Sequence, residues 1–334
     1  MRSHPSNRTP RTATRDRHRA LADHMRWATI GATLAMAALL LPHGPAFGQD
    51  ATPVGDLQAP SERTGEYADL DGARIFYEAT GEGAPLVLLH GYPLSGALFS
   101  RMRDALEDRY SVVTLDHRGY GLSEAETNPG TIEQYASDAL AVMDELGLDR
   151  AAIGGMSMGG PIVLEMYRQA PERFSAMILI DTIAAPASPM EAGIWRGTQE
   201  RVEAEGVDGI VGFLMPQMLT GATRANEPAQ VDYLTTVMEG ASKDAALGGA
   251  EALETRPDLR PVLEGIEVPT LVLVGRADPV YSFEVSQGMV DAIGDNARIA
   301  IIEGASHAAV FERPAESAKA IGDFLASAGG SGAN

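Results

Sequence analysis

The chain has 334 residues, 45% of them hydrophobic and 22% charged, a globular composition that excludes a mainly disordered or fibrous protein. Asp plus Glu outnumber Lys plus Arg by 46 to 26, a net charge of −20, and so acidic a body repels phosphate backbones, which argues against a nucleic-acid partner. Cys is 0, which removes disulfides, thiol catalysis and Cys-ligated metal sites.

The first 48 residues differ from the rest. They hold seven Arg and two Asp, a net of +5, which leaves −25 for the remainder. The charged stretch runs into an apolar run at 27–41, then Pro42, then Ala46-Phe47-Gly48. This is the order of a secretory signal peptide, with cleavage expected after Gly48 and Met25 as an alternative start. The expected product is an exported, periplasmic or extracellular protein with no stable membrane insertion. The alternative is an uncleaved N-terminal anchor, although 15 apolar residues fall short of the ~20 that span a bilayer. Residues 49–64 are rich in Pro, Gly, Ser and Thr and read as a linker.

From residue 67 the chain alternates strand and helix patterns. Runs at 67–70 and 74–78 flank Asp71-Gly72, a hairpin signal. The continuous apolar run 86–89 reads as a strand buried on both faces. A helix at 97–107 and a strand at 111–115 follow. Residues 131–146 carry apolar side chains at helical spacing, with Thr131 as N-cap. Strand 151–154, a helix continuing through 161–169 and strand 176–180 come next. Residues 183–265 hold no clear strand and read as a helical cap. Alternation returns with 270–274, 283–293, 298–302 and 315–325, and residues 327–334 form a Gly/Ser/Ala tail. The predicted core is thus 65–182 plus 266–326, and repeated βα units imply a mostly parallel sheet.

Gly155-Met156-Ser157-Met158-Gly159 is a G-x-S-x-G match between a strand and a helix, the context in which such a serine is a nucleophile. The glycines give room for a sharp turn, and the helix N-terminus favours developing negative charge. The plain alternative is a Gly-rich turn. Of the three His beyond residue 48, only His307 follows the serine; His90 and His117 precede it. His307 is the candidate base, against the simpler reading of an exposed loop histidine. Asp278, in Gly275-Arg276-Ala277-Asp278-Pro279 after a strand, is the candidate acid that orients it, with Asp181 as competitor and a turn-forming Asp as the plain reading. Oxyanion donors are expected from the backbone N–H groups of Met158 and Tyr92, the latter in His90-Gly91-Tyr92-Pro93. Neither a metal nor a cofactor is expected.

With these pieces the chain resembles the α/β-hydrolase superfamily, in the group of serine esterases, lactonases and cofactor-free haloperoxidases. Leu89 to Pro93, Asp116 to Ser123, Gly155 to Gly160, Gly275 to Asp278 and His307 carry the likeness. It implies a mostly parallel eight-stranded sheet with helices on both faces and a helical cap at 183–265. It assigns the segment from Asp116 to Ser123 to a structural turn. Ser157 at the elbow disfavours the relatives that use Asp there, and the Met-bearing apolar stretch from 194 to 238 suits an uncharged ester or lactone. The alternatives are perhydrolase or haloperoxidase chemistry, C–C bond hydrolysis with the same triad, and a non-catalytic ligand-binding protein on a hydrolase scaffold. Oligomeric state has no handle in the sequence.

Overall fold

The computed structural model describes residues 57–126 and 130–329. The expected signal segment and the start of the linker lie outside them. Nine strands form one sheet: β1 Glu66–Leu70, β2 Ala73–Thr80, β3 Ala84–Leu89, β4 Tyr110–Leu115, β5 Glu124–Ala125, β6 Ala151–Met156, β7 Phe174–Ile180, β8 Thr270–Gly275 and β9 Ala297–Ile302. Eight of them follow the order β1-β2-β4-β3-β6-β7-β8-β9, and the two-residue β5 adds to β2 as a ninth. The expectation of eight strands missed β5 because two residues carry no period.

The pairings from β4 through β9 are parallel, and only β2 runs antiparallel to its neighbours. The central strands are the ones with no polar face. Every residue of β6 and β8 is buried, as a strand covered on both sides requires. Parallel strands need crossovers, and the helices Ile132–Glu145, Gly159–Gln169 and Phe283–Ile293 supply them. Thr131 caps the first by accepting from Gln134 N at 3.1 Å. The region read as one helix at 97–107 is a 3-10 turn, Gly96–Phe99, followed by the short helix Ser100–Asp104.

Between β7 and β8 only helices occur: Pro189–Glu205, Asp208–Met218, Gly221–Asn226, Pro228–Glu239, Lys243–Thr255 and Arg260–Leu263. Local sequence starts several of them. Ser188, Thr220 and Ser242 each accept the N–H three residues on, and Pro occupies a first-turn position in the helices from Pro189 and Pro228. One apolar core joins the strands to these helices, from Leu88 and Ile178 out to Leu234 and Met238.

At the ends, two boundaries move. Pro60–Glu62 forms a 3-10 turn, and Arg63 is buried, pairing with Glu78 at 3.0 Å and with Asp116. The last helix, Pro314–Gly329, continues into the stretch read as tail. Among the described residues no helix is long and apolar enough to cross a membrane.

Candidate active site

The C-terminal ends of the parallel strands converge, the usual place for chemistry in an open α/β sheet. β6 ends at Met156, and Ser157 follows in a left-handed backbone conformation, φ 53°. That strain is held by its neighbours. Ser157 N donates to Ile180 O at 2.9 Å, and Thr182 Oγ1 donates to Ser157 O at 2.6 Å. Two residues later the helix Gly159–Gln169 begins. The turn is so tight that a Cβ at Gly155 would sit 2.1 Å from Gly159 O.

His307 lies in the loop after β9, and Asp278 in the loop after β8. The structure brings His307 to Ser157, 150 residues away along the chain, and Asp278 to His307, 29 residues away. His307 Nε2 is 2.9 Å from Ser157 Oγ, and His307 Nδ1 is 2.9 Å from Asp278 Oδ2. The carboxylate takes the Nδ1–H, which leaves Nε2 free to accept the serine proton. Asp278 is itself fixed: Oδ1 accepts from Val280 N at 2.7 Å and Tyr281 N at 3.2 Å, an Asx-type turn that aims Oδ2 at the imidazole. The imidazole is 1% exposed and meets the Tyr281 ring edge-on at 5.6 Å.

Asp181 does not reach His307. It follows β7 with φ 44°, and its carboxyl accepts from Gly275 N at 2.7 Å and Ala309 N at 3.3 Å. It thereby ties the acid loop and the histidine loop to β7. Burial, reinforced by the charge of Asp278, holds its carboxyl well above the usual carboxylate range.

The loop after β3 passes directly over Ser157. A Cβ at Gly91 would lie 2.8 Å from Ser157 Cβ, so glycine permits the approach. Tyr92 and Met158 are both buried, and among the described residues neither backbone N–H donates to a protein acceptor. His90 and His117 stand behind this loop. His90 Nδ1–H donates to Gly91 O at 2.8 Å, while its Nε2 accepts from His117 N at 2.9 Å. Their rings lie 4.2 Å apart. Burial pushes the His90 imidazole down to about 3 and His117 well below its ordinary value, so both are neutral packing groups. The turn from Asp116 to Ser123 is bonded internally and to the strands: Asp116 accepts from Gly96 N and Leu122 N, and Ser123 Oγ accepts from Phe76 N at 2.8 Å.

Three further residues shape the site with little or no local sequence signal. Thr182 braces the Ser157 carbonyl, and Tyr281 packs edge-on against the imidazole. Glu312, 2% exposed, accepts from Ser306 N at 2.7 Å beside His307, and its only hint is an acid closing the apolar run from Ala308 to Phe311. Among the described residues no group of His, Asp and Glu gathers as a metal site.

This arrangement has parallels. The family model described as the alpha/beta hydrolase fold matches residues 84–220. The chain is 31% identical over 214 residues to 3-oxoadipate enol-lactonase 2 of Acinetobacter baylyi, covering 62% of this chain and 76% of the relative. It is 29% identical over 252 residues to a putative non-heme chloroperoxidase of Synechocystis, covering 70% and 88%. The structure superposes with a TM-score of 0.74 on a thermophilic esterase from Thermogutta terrifontis, 30% identical, covering 79% of this chain and 97% of that one. A serine at a strained strand-to-helix turn, a parallel sheet with helices inserted before the last two strands, and relatives of this kind lead to one placement: the chain belongs to the alpha/beta hydrolase fold family, whose esterase and lactonase members make it a hydrolase.

Proposed function

We propose that this protein is an exported serine hydrolase of carboxylic esters or lactones working through an acyl-enzyme. The observation that carries the reading is the unbroken chain of contacts from Ser157 Oγ through His307 to Asp278, 2.9 Å at each step. In this mechanism His307 Nε2 takes the Ser157 proton as Oγ attacks the carbonyl carbon. The resulting imidazolium is stabilised by Asp278, and the oxyanion is held by the N–H groups of Tyr92 and Met158. His307 then protonates the leaving alkoxide, which departs or, for a lactone, stays tethered as a hydroxyl. Water attacks the acyl-enzyme with His307 again as base, and the carboxylic acid leaves.

The helices between 183 and 265 act as the cap in this reading. The Trp195 ring meets Tyr92 edge-on at 5.5 Å, and Tyr233 Oη donates to Ala97 O at 3.3 Å, so cap residues rest on the oxyanion loop and its neighbour. An apolar lid of this kind suits an uncharged acyl group. Export rests on the signal-like order of the first 48 residues, and an N-terminus at Gln49 in protein recovered outside the cytoplasm tests it.

The decisive experiment is turnover of p-nitrophenyl esters and lactones of graded size by wild type and Ser157→Ala. Wild type hydrolyses them and the variant loses essentially all turnover; equal rates overturn the reading. Likeness to a protein named a non-heme chloroperoxidase supports a second reading of the same site. There hydrogen peroxide replaces water in the second step, releases a peracid, and the peracid oxidises halide to hypohalite. Peroxide and bromide added to the same assay, with a carboxylic acid present, separate the two.

A further inference from the structure

One buried carboxylate plays no part in this mechanism. Glu312 belongs to the short helix Ala309–Glu312, five residues after His307, and is 2% exposed. A buried carboxylate is costly unless it is paired or fully hydrogen-bonded. Among the described residues no cation pairs with this one. Its donors come instead from two separate parts of the chain. Oε2 accepts from Ser306 N at 2.7 Å, and Oε1 accepts from Thr220 N at 2.9 Å and Thr220 Oγ1 at 2.6 Å.

Thr220 follows the cap helix Asp208–Met218, whose last carbonyls have no partner within the helix. The histidine loop supplies those partners. Ser306 Oγ donates to Gln217 O at 2.8 Å, His307 N to Gln217 O at 3.3 Å and Ala308 N to Met218 O at 3.0 Å. Donors and acceptors therefore run in both directions between residues 217–220 and 306–312. The catalytic loop and the end of one cap helix form a single hydrogen-bonded unit, and Glu312 joins its two halves.

We propose that Glu312 is a positioning residue that makes seating of the cap and orientation of His307 one event, so that a substrate whose acyl chain reaches the cap is turned over faster once bound. The inference rests on the serine-hydrolase reading above. An acyl group packed under the cap favours the seated position of the helix Asp208–Met218. The seated helix end fixes Thr220, and Glu312 passes that restraint to Ser306, the neighbour of His307. Small displacements of a base are expensive: about 1 Å costs on the order of 100-fold in rate.

The test uses the full chain as wild type, Glu312→Gln and Thr220→Val, with p-nitrophenyl acetate and p-nitrophenyl hexanoate. Rates are expressed per site labelled by a fluorophosphonate, which removes any loss of folded protein from the comparison. Wild type gives a higher kcat on hexanoate than on acetate. In Glu312→Gln, kcat on hexanoate falls roughly 10- to 100-fold, KM moves little, and the two kcat values draw together. Thr220→Val keeps the bond to Ser306 and gives the same convergence with a smaller fall, so the outcome survives a Glu312 variant that does not fold. A wild-type kcat ratio of one, or variants that keep the wild-type ratio and kcat per labelled site, overturns the inference even if the variants melt earlier. Wild type that takes up no label overturns the hydrolase reading instead.

Discussion

Two acids follow neighbouring strands at this site, and their surroundings divide the work. Asp278 spends one oxygen on Val280 N and Tyr281 N and the other on His307. Asp181 spends both on backbone N–H groups of the loops that carry Asp278 and His307. Asn in place of Asp278 would turn an N–H toward Nδ1 and favour the wrong tautomer, so Asp278→Asn should lower kcat by on the order of 10³- to 10⁴-fold, the scale seen when a serine-protease triad acid is so replaced. Asp181→Asn keeps the His307–Asp278 contact and one of the two backbone bonds, and should cost only about 10-fold. Steady-state kcat of both variants on one ester decides the matter; the reverse ranking would give Asp181 the role assigned to Asp278.

At the level of elements, what the sequence made legible was whatever local rules control. The helix Phe283–Ile293 and the strand Thr270–Gly275 carry clear periods or continuous apolar runs, and both were readable to within a residue. That Ser157, Asp278 and His307 could meet was readable from the G-x-S-x-G match, from loops that follow strands and from the order serine, acid, histidine along the chain, and the three do lie in contact. The segment Gly96–Asp104 was not, since apolar spacing does not distinguish a 3-10 turn from an α-helix and the chain must leave the helix to enter β4 at Tyr110. Glu312 was hidden for another reason: Thr220, which donates to it, lies 92 residues away, so its meaning exists only after folding. The strand–elbow–helix unit also yields a prediction. With Gly159 O 2.1 Å from where a Cβ would stand, Gly155→Ala forces backbone apart and should destabilise the protein by about 1–3 kcal/mol. Urea unfolding measures it, and an unchanged midpoint with unchanged slope would contradict the geometry.

Across the whole molecule, the buried neutral His90 and His117 contribute to the response to acid. His90 titrates at about 3 in the folded protein against about 6.5 unfolded, chiefly through burial, and His117 is shifted the same way. Below pH 6.5 the unfolded chain binds protons that the folded one refuses, so stability falls as pH drops toward 3. Asp181 and, from a less buried site, Asp104 act with opposite sign, since a raised carboxylate pKa favours the folded state as pH falls, and they oppose the two histidines. Unfolding free energy should therefore decline between pH 6.5 and 5, and His117→Gln should remove about 1.4 kcal/mol per pH unit from that slope. An identical slope in the variant would mean that His117 does not stay neutral in the fold. Whether Ser157 is made nucleophilic by its partners is measured most directly by mass mapping of the protein after reaction with a fluorophosphonate. We expect one adduct per chain, on the peptide containing Ser157, and none in His307→Ala over the same time; an unlabelled wild type, or labelling that is as fast without His307, would contradict it.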